Sequence, residues 1–185
     1  DKIYLYTKCK KEIPDFTKYN NIIIQELPNS GQEVETYLYH IINFWDKLGD
    51  YNVFTPGTPY EKRKEIFDKI NNNTSCKNIF KDFDGVDFNF SLDDYKPQFN
   101  VNSPKFIKSK YKNYGDFILS NFGNKFYDEL KLYNKSSYLG IFSINKENIY
   151  KNDIQLYLKL FNEVNIGPNN EIAHFIERLW SFLLK

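Results

Sequence analysis

Ile22-Ile23-Ile24-Gln25-Glu26-Leu27-Pro28-Asn29-Ser30-Gly31-Gln32-Glu33 holds the transition on which the fold turns. Three β-branched residues in a row favour an extended strand. Their apolar character is continuous rather than alternating, which predicts a strand buried on both faces. Leu27 to Gly31 then breaks it with proline, asparagine and glycine, all turn formers. Downstream, Val34, Tyr37, Leu38, Ile41, Ile42, Trp45 and Leu48 recur at helical spacing and predict an amphipathic helix. Ser30 and Glu33 fit a capping box at its start, Asn29 competes as the cap, and Gly49 suits its end. Strand, loop and helix in that order form the front half of a βαβ unit.

Outward from this unit the same alternation continues. Ile3-Tyr4-Leu5-Tyr6 is a short β-prone run, and Tyr51-Asn52-Val53-Phe54 is the strand after the helix, closed by Pro56-Gly57-Thr58-Pro59. A charged helix is predicted over 60–70, with Ile66 and Ile70 on its apolar side. Residues 77–113 mix Asp, Phe, Asn and Lys without a period, the pattern of a functional loop or lid. Helix follows from Tyr114 to about Leu132, strand from Ser137 to Ile144, and mostly helix from Lys146 to Val164. Gly167-Pro168 stops that segment. Asn170 then caps a last helix whose stripe is Ile172, Phe175, Ile176, Leu179, Trp180 and Leu183. No internal repeat interrupts this order. It predicts an α/β fold, a three-layer mixed sheet flanked by helices, in a single domain over 1–185.

Composition narrows the function classes. The hydrophobic share of 41% is enough for a sizeable core, and the aromatic share of 18% places many rings at core and cleft margins. Lysine and arginine number 25 against 24 acidic residues, so the basic excess of a nucleic-acid binder is missing. The longest apolar runs are too short to span a bilayer. Cys9 and Cys76 are too few for a disulfide framework and read as two reduced thiols. A chain that starts at Asp1 and contains no Met reads as a piece of a larger protein, cytoplasmic in its thiol usage.

Three places carry candidate chemistry. Asn29, Gly31 and Glu33 lie where a strand delivers the chain to a helix N-terminus, a position that suits a phosphate; a plain capped turn explains the same spacing. His174, Glu177 and Arg178 fall on one side of the last helix, opposite its apolar stripe. Histidine beside an acid can serve as a base and arginine can clamp a diphosphate; a solvated polar face is the plainer alternative. Asp82-Phe83-Asp84, with Asp87, Asp93 and Asp94 nearby, could hold Mg²⁺ or Mn²⁺ through carboxylate oxygens. His40 lies off the apolar stripe of its helix and is expected to be partly exposed. With His40 and His174 as the two histidines, a multi-histidine metal site is excluded.

The run Leu27-Pro28-Asn29-Ser30-Gly31-Gln32-Glu33, with Thr36-Tyr37-Leu38 and Ile41-Ile42, resembles an uncharacterised family of fungi, algae and large DNA viruses. Asn52-Val53-Phe54-Thr55-Pro56-Gly57 looks like that family's next strand. Tyr138, Gly140, Phe142 and Ile144 resemble its Y-x-G-x-F-x-[VI] tract, and His174, Glu177, Arg178 and Trp180 match its H-x-x-E-R-x-W motif. The family is similar to GT-A-type (Rossmann-related) glycosyltransferases, including a glycosyltransferase domain of a chlorella virus. The resemblance implies transfer of a sugar from a nucleotide-sugar donor such as a UDP-sugar to a hydroxyl of a glycan or protein acceptor. It implies Mn²⁺ or Mg²⁺ held by a D-x-D such as Asp82 and Asp84, and, for a viral protein, residence in the host cytoplasm. His174 and Glu177 would be base and orienter, Arg178 would carry diphosphate charge, and Asn29, Gly31, Glu33 and Tyr37 would line the pocket. The alternatives are a carbohydrate- or protein-binding module without turnover, and a structural domain of a larger viral protein.

Overall fold

A computed structural model describes residues 2–8, 15–16, 18–57, 64–73, 75–95 and 107–185. Strands β1 (Ile3–Thr7) and β2 (Ile22–Glu26) pair in parallel, with Ile3 opposite Ile22 and Thr7 opposite Glu26. Helix α1 (Gln32–Asn43) follows, and Trp45–Lys47 adds a short 3-10 turn. Then come β3 (Tyr51–Phe54), α2 (Lys64–Asn71), β4 (Ile79–Asp84), α3 (Tyr114–Tyr133) and β5 (Lys135–Asn145). Helices α4 (Lys146–Tyr150), α5 (Ile154–Val164) and α6 (Glu171–Leu183) complete the order.

The fold is mixed α/β, but the expected continuous sheet is two small ones. β1 and β2 form one, and β3-β5-β4 form an antiparallel second. The second sheet is covered on both faces. On one, α2 seats Ile66 and Ile70 against Ile141. On the other, Phe142 meets the rings of Tyr37, Phe54, Phe80 and Trp180 at centroid distances of 5.8, 5.0, 5.4 and 5.5 Å. Three layers therefore exist here, built on alternation along β5. The main core continues through Tyr114, Phe117, Tyr157 and Phe175, all sealed from solvent.

Several expectations are corrected. Ile23 and Ile24 are 40% and 44% exposed, not buried. A continuous β-branched run reports strand preference, and in the parallel pair β1–β2 α1 covers one face through Tyr4, Tyr6, His40 and Phe44. The capping box does not form either. Gly31 stands at the N-cap of α1 in a left-handed conformation with no side-chain cap, and the Ser30 hydroxyl instead accepts from Gly167 N at 3.2 Å. Asn29 is exposed and caps nothing. Gly49 lies beyond the 3-10 turn, not at the end of α1. The segment from Lys146 to Val164 is mostly helix as expected, in two pieces, the second capped by Asp153 accepting from Gln155 N. Within the stretch expected to be an irregular loop or lid, Ile79–Asp84 is a strand and Leu92–Tyr95 a 3-10 turn. Cys9, the start of the charged helix at 60–63 and residues 96–106 lie outside the described residues; Cys76 is an exposed free thiol. No helix among the described residues is long and apolar enough to cross a membrane.

Candidate functional site

The site is built around an irregularity in β5. Phe80 of β4 pairs with Phe142, yet Asp82 pairs with Ser137. Two steps along β4 thus match five along β5, and Tyr138–Ile141 bulge out of the ladder. Leu139 and Gly140 both adopt left-handed backbone, with φ of 72° and 56°. A leucine there is strained, and such strain persists where surrounding contacts hold it.

The loop before α1 docks on one end of the bulge. The Tyr37 hydroxyl donates to Gly140 O at 2.6 Å, in a buried position. A Cβ at Gly140 would lie 3.0 Å from Glu33 Oε1, so the missing side chain leaves space for that carboxylate. The loop is itself tightly held. Lys8, arriving from β1, donates to Ser30 O, Gln32 O and Glu35 Oε2, and Glu35 is 3% exposed. Gly31 is required, because a Cβ there would meet Glu35 Cβ at 2.3 Å.

Helix α6 docks on the other end. Every residue of α6 except Glu177 is buried, so its polar side is not the solvated face that a single stripe suggests. The helix lies against β5 and the helices α1, α3 and α5. The Ser137 hydroxyl donates to Glu177 O at 2.7 Å and accepts from Ser181 N at 3.3 Å, pinning α6 beside the bulge. The Arg178 guanidinium carbon stands 3.4 Å from the Phe90 ring centroid and 4.9 Å from that of Tyr138. Its Nη1 donates to His174 O at 2.8 Å. His174 Nδ1 and Glu177 Oε2 are 3.8 Å apart, an ion-pair distance when the imidazole is protonated.

The two candidate clusters are thus brought together. Glu33 and Tyr37 contact Gly140, and Arg178 contacts Tyr138, two residues away along β5. They are joined a second time at the entrance to α6: Gly31 N donates to Gly167 O at 3.0 Å, and Asn170, the α6 cap, also bonds Gly167 O at 2.8 Å. Asn29 is not drawn in; it stays on the exposed side of the loop.

Asp82 and Asp84 lie on β4, a strand rather than a loop. Asp82 faces inward, with Oδ1 sealed from water and the Ser181 hydroxyl beside it outside good hydrogen-bond geometry. Burial raises its pKa, while Ser181 and Lys135 pull the other way. Asp84 is exposed, and among the described residues no group of three His, Cys, Asp or Glu side chains converges.

His40 is half-buried, as its place off the stripe implied. Its Nδ1 is 2.7 Å from the Tyr6 hydroxyl, and burial depresses its pKa to about 4. It belongs to the packing of β1 on α1. Sequence reasoning missed Phe90, Tyr114 and the bulge. A glycine isolated inside a strand pattern, here Gly140, was the available signal for the bulge. No family model, curated protein or solved structure matches the chain.

Proposed function

We propose that this is a sugar-transfer domain of GT-A-like type, which takes a nucleotide-sugar donor and passes the sugar to a hydroxyl of a glycan or protein. One observation supports this above the others. The His174-Glu177-Arg178 side of α6 is drawn into the protein, and Tyr138–Gly140 joins it to the loop carrying Glu33. A polar trio in bulk water would have removed the physical basis for the reading.

In this reading one of the His174–Glu177 pair accepts the proton of the acceptor hydroxyl while the other orients it. The hydroxyl oxygen attacks the anomeric carbon, and the bond from that carbon to the diphosphate breaks. The electron pair leaves with the diphosphate, whose charge Arg178 offsets. Glu33, Tyr37 and Gly31 shape the pocket wall, and Asn29 stands outside it on the exposed side of the loop. If Mn²⁺ or Mg²⁺ takes part, it would supply further charge neutralisation, with Asp82 and Asp84 as the ligand pair suggested by their sequence.

Thermal denaturation against a panel of UDP-sugars, with and without Mn²⁺, tests this. Binding to the folded state raises the melting temperature by linkage; flat curves across the panel would remove the reading. The deep burial of His174 and Arg178, 9% and 6% exposed, favours a second reading, a glycan- or protein-binding module without turnover. That module would bind glycans with neither nucleotide nor metal.

A further inference from the structure

We propose that Arg178 and Tyr114 together form an oxyanion pocket walled by Phe90 and Tyr138, with a phosphoryl group as its occupant. The inference rests on the sugar-transfer reading only for the identity of the molecule that carries the phosphoryl group.

The pocket is rich in donors and poor in acceptors. Arg178 is buried, and among the described residues no carboxylate lies within 4.0 Å of it. Of the five N–H groups of a guanidinium, one position, Nη1, is hydrogen-bonded among the described residues, to His174 O. Stacking on Phe90 and Tyr138 stabilises the cation without neutralising it. Tyr114 adds a second donor. Its side chain is fully buried, and among the described residues its hydroxyl has no hydrogen-bond partner. The ring is fixed beside Phe90, since Tyr114 N donates to Phe90 O at 2.9 Å and both rings contact Phe175. The hydroxyl lies within electrostatic reach of Arg178 and Tyr138.

A buried hydroxyl without a partner is a cost that a native structure keeps for a reason, and a buried uncompensated cation is a larger one. A single ligand with several acceptor oxygens removes both. A phosphoryl group has enough oxygens to meet the guanidinium edge and the phenol together, whereas a carboxylate meets the edge with both of its own. Because aromatic rings stand over the guanidinium, the open approach is along its N–H edge, which is the bidentate geometry. Tyr138 is the wall nearest solvent. It is half-buried, and its ring packs edge-on, at 5.0 Å, against the exposed Phe83. Entry in this proposal is past the Tyr138 ring.

The test is calorimetric titration of pyrophosphate, without divalent ions, into the wild-type chain, Tyr114→Phe and Arg178→Lys, with acetate as the carboxylate control. Wild type binds pyrophosphate in preference to acetate. Tyr114→Phe weakens pyrophosphate roughly tenfold, the scale of one hydrogen bond to a charged group, and Arg178→Lys weakens it at least as much. Melting of the ligand-free proteins supplies a second readout. Tyr114→Phe removes a buried hydroxyl that has no partner, so its ligand-free melting temperature rises. A purely structural hydroxyl, bridged by enclosed water, would give the opposite sign. The proposal is overturned if wild type ignores pyrophosphate, if Tyr114→Phe binds it as wild type does, or if Tyr114→Phe melts lower. UDP-sugars that bind tightly but indifferently to Tyr114→Phe sink this inference and leave sugar transfer standing. Pyrophosphate that binds through Tyr114, with UDP-sugars no tighter, does the reverse.

Discussion

The two sheets are held by different physics. The antiparallel sheet β3-β5-β4 is covered on both faces, and Phe142, 1% exposed, meets four rings on one of them. The parallel pair β1–β2 leaves Ile3, Ile23 and Ile24 exposed at 51%, 40% and 44%. It is fastened to α1 through a few specific contacts: the Lys8 ammonium on the loop, the Tyr6 hydroxyl at His40, and the rings of Tyr4 and Phe44. The first region depends on apolar area, the second on individual polar contacts. The one is expected to yield only with the whole domain, the other by itself.

The largest effect should come from the first region. Phe142→Ala is expected to cost about 3–5 kcal/mol in denaturant unfolding, the range for truncating a buried aromatic. Hydrogen exchange should accelerate in β3-β5-β4 and change little in β1–β2, which opens by itself; equal acceleration in both sheets would break the comparison. Lys8→Met comes next. It leaves Glu35 buried without its cation, which costs about 3 kcal/mol when one partner of a buried pair is removed. Exchange should quicken in β1, β2 and the loop at 30–32 while β5 stays protected.

The third effect is smaller and depends on pH. His40 is depressed from 6.5 to about 4 by burial. As pH falls, the unfolded chain takes up the proton first, so stability present above about 6.5 is lost progressively down to about 4. The loss attributable to His40 is about 2–3 kcal/mol. His40→Gln should flatten that part of the profile, and parallel profiles for the two proteins would show that the histidine is not the group responsible.

The elements legible in the sequence are those whose period matches their surroundings. Tyr51–Phe54, the strand around Phe142 and the stripe from Ile172 to Leu183 were all readable in this way. Ile79–Asp84 was not, because Ile-Phe-Lys-Asp-Phe-Asp does not alternate and its partner strand slips by several residues midway. A period also says nothing about which neighbours will be present. The residues between α6 apolar positions are buried because other helices reach them, and Ile23 and Ile24 are exposed because no described element does. At the site, His174, Glu177 and Arg178 were visible as a spacing. Tyr114 carries no motif, since an unpartnered hydroxyl exists only once its surroundings are folded.

Leu139 accepts a backbone conformation that costs it energy, and its side chain packs with Ile66, Ile70 and Ile141 under α2. Its neighbour Tyr138 leans the opposite way, onto Arg178. The two residues thus face opposite sides of the sheet at one strained point, so α2 at the back and Arg178 at the front share a single short piece of backbone.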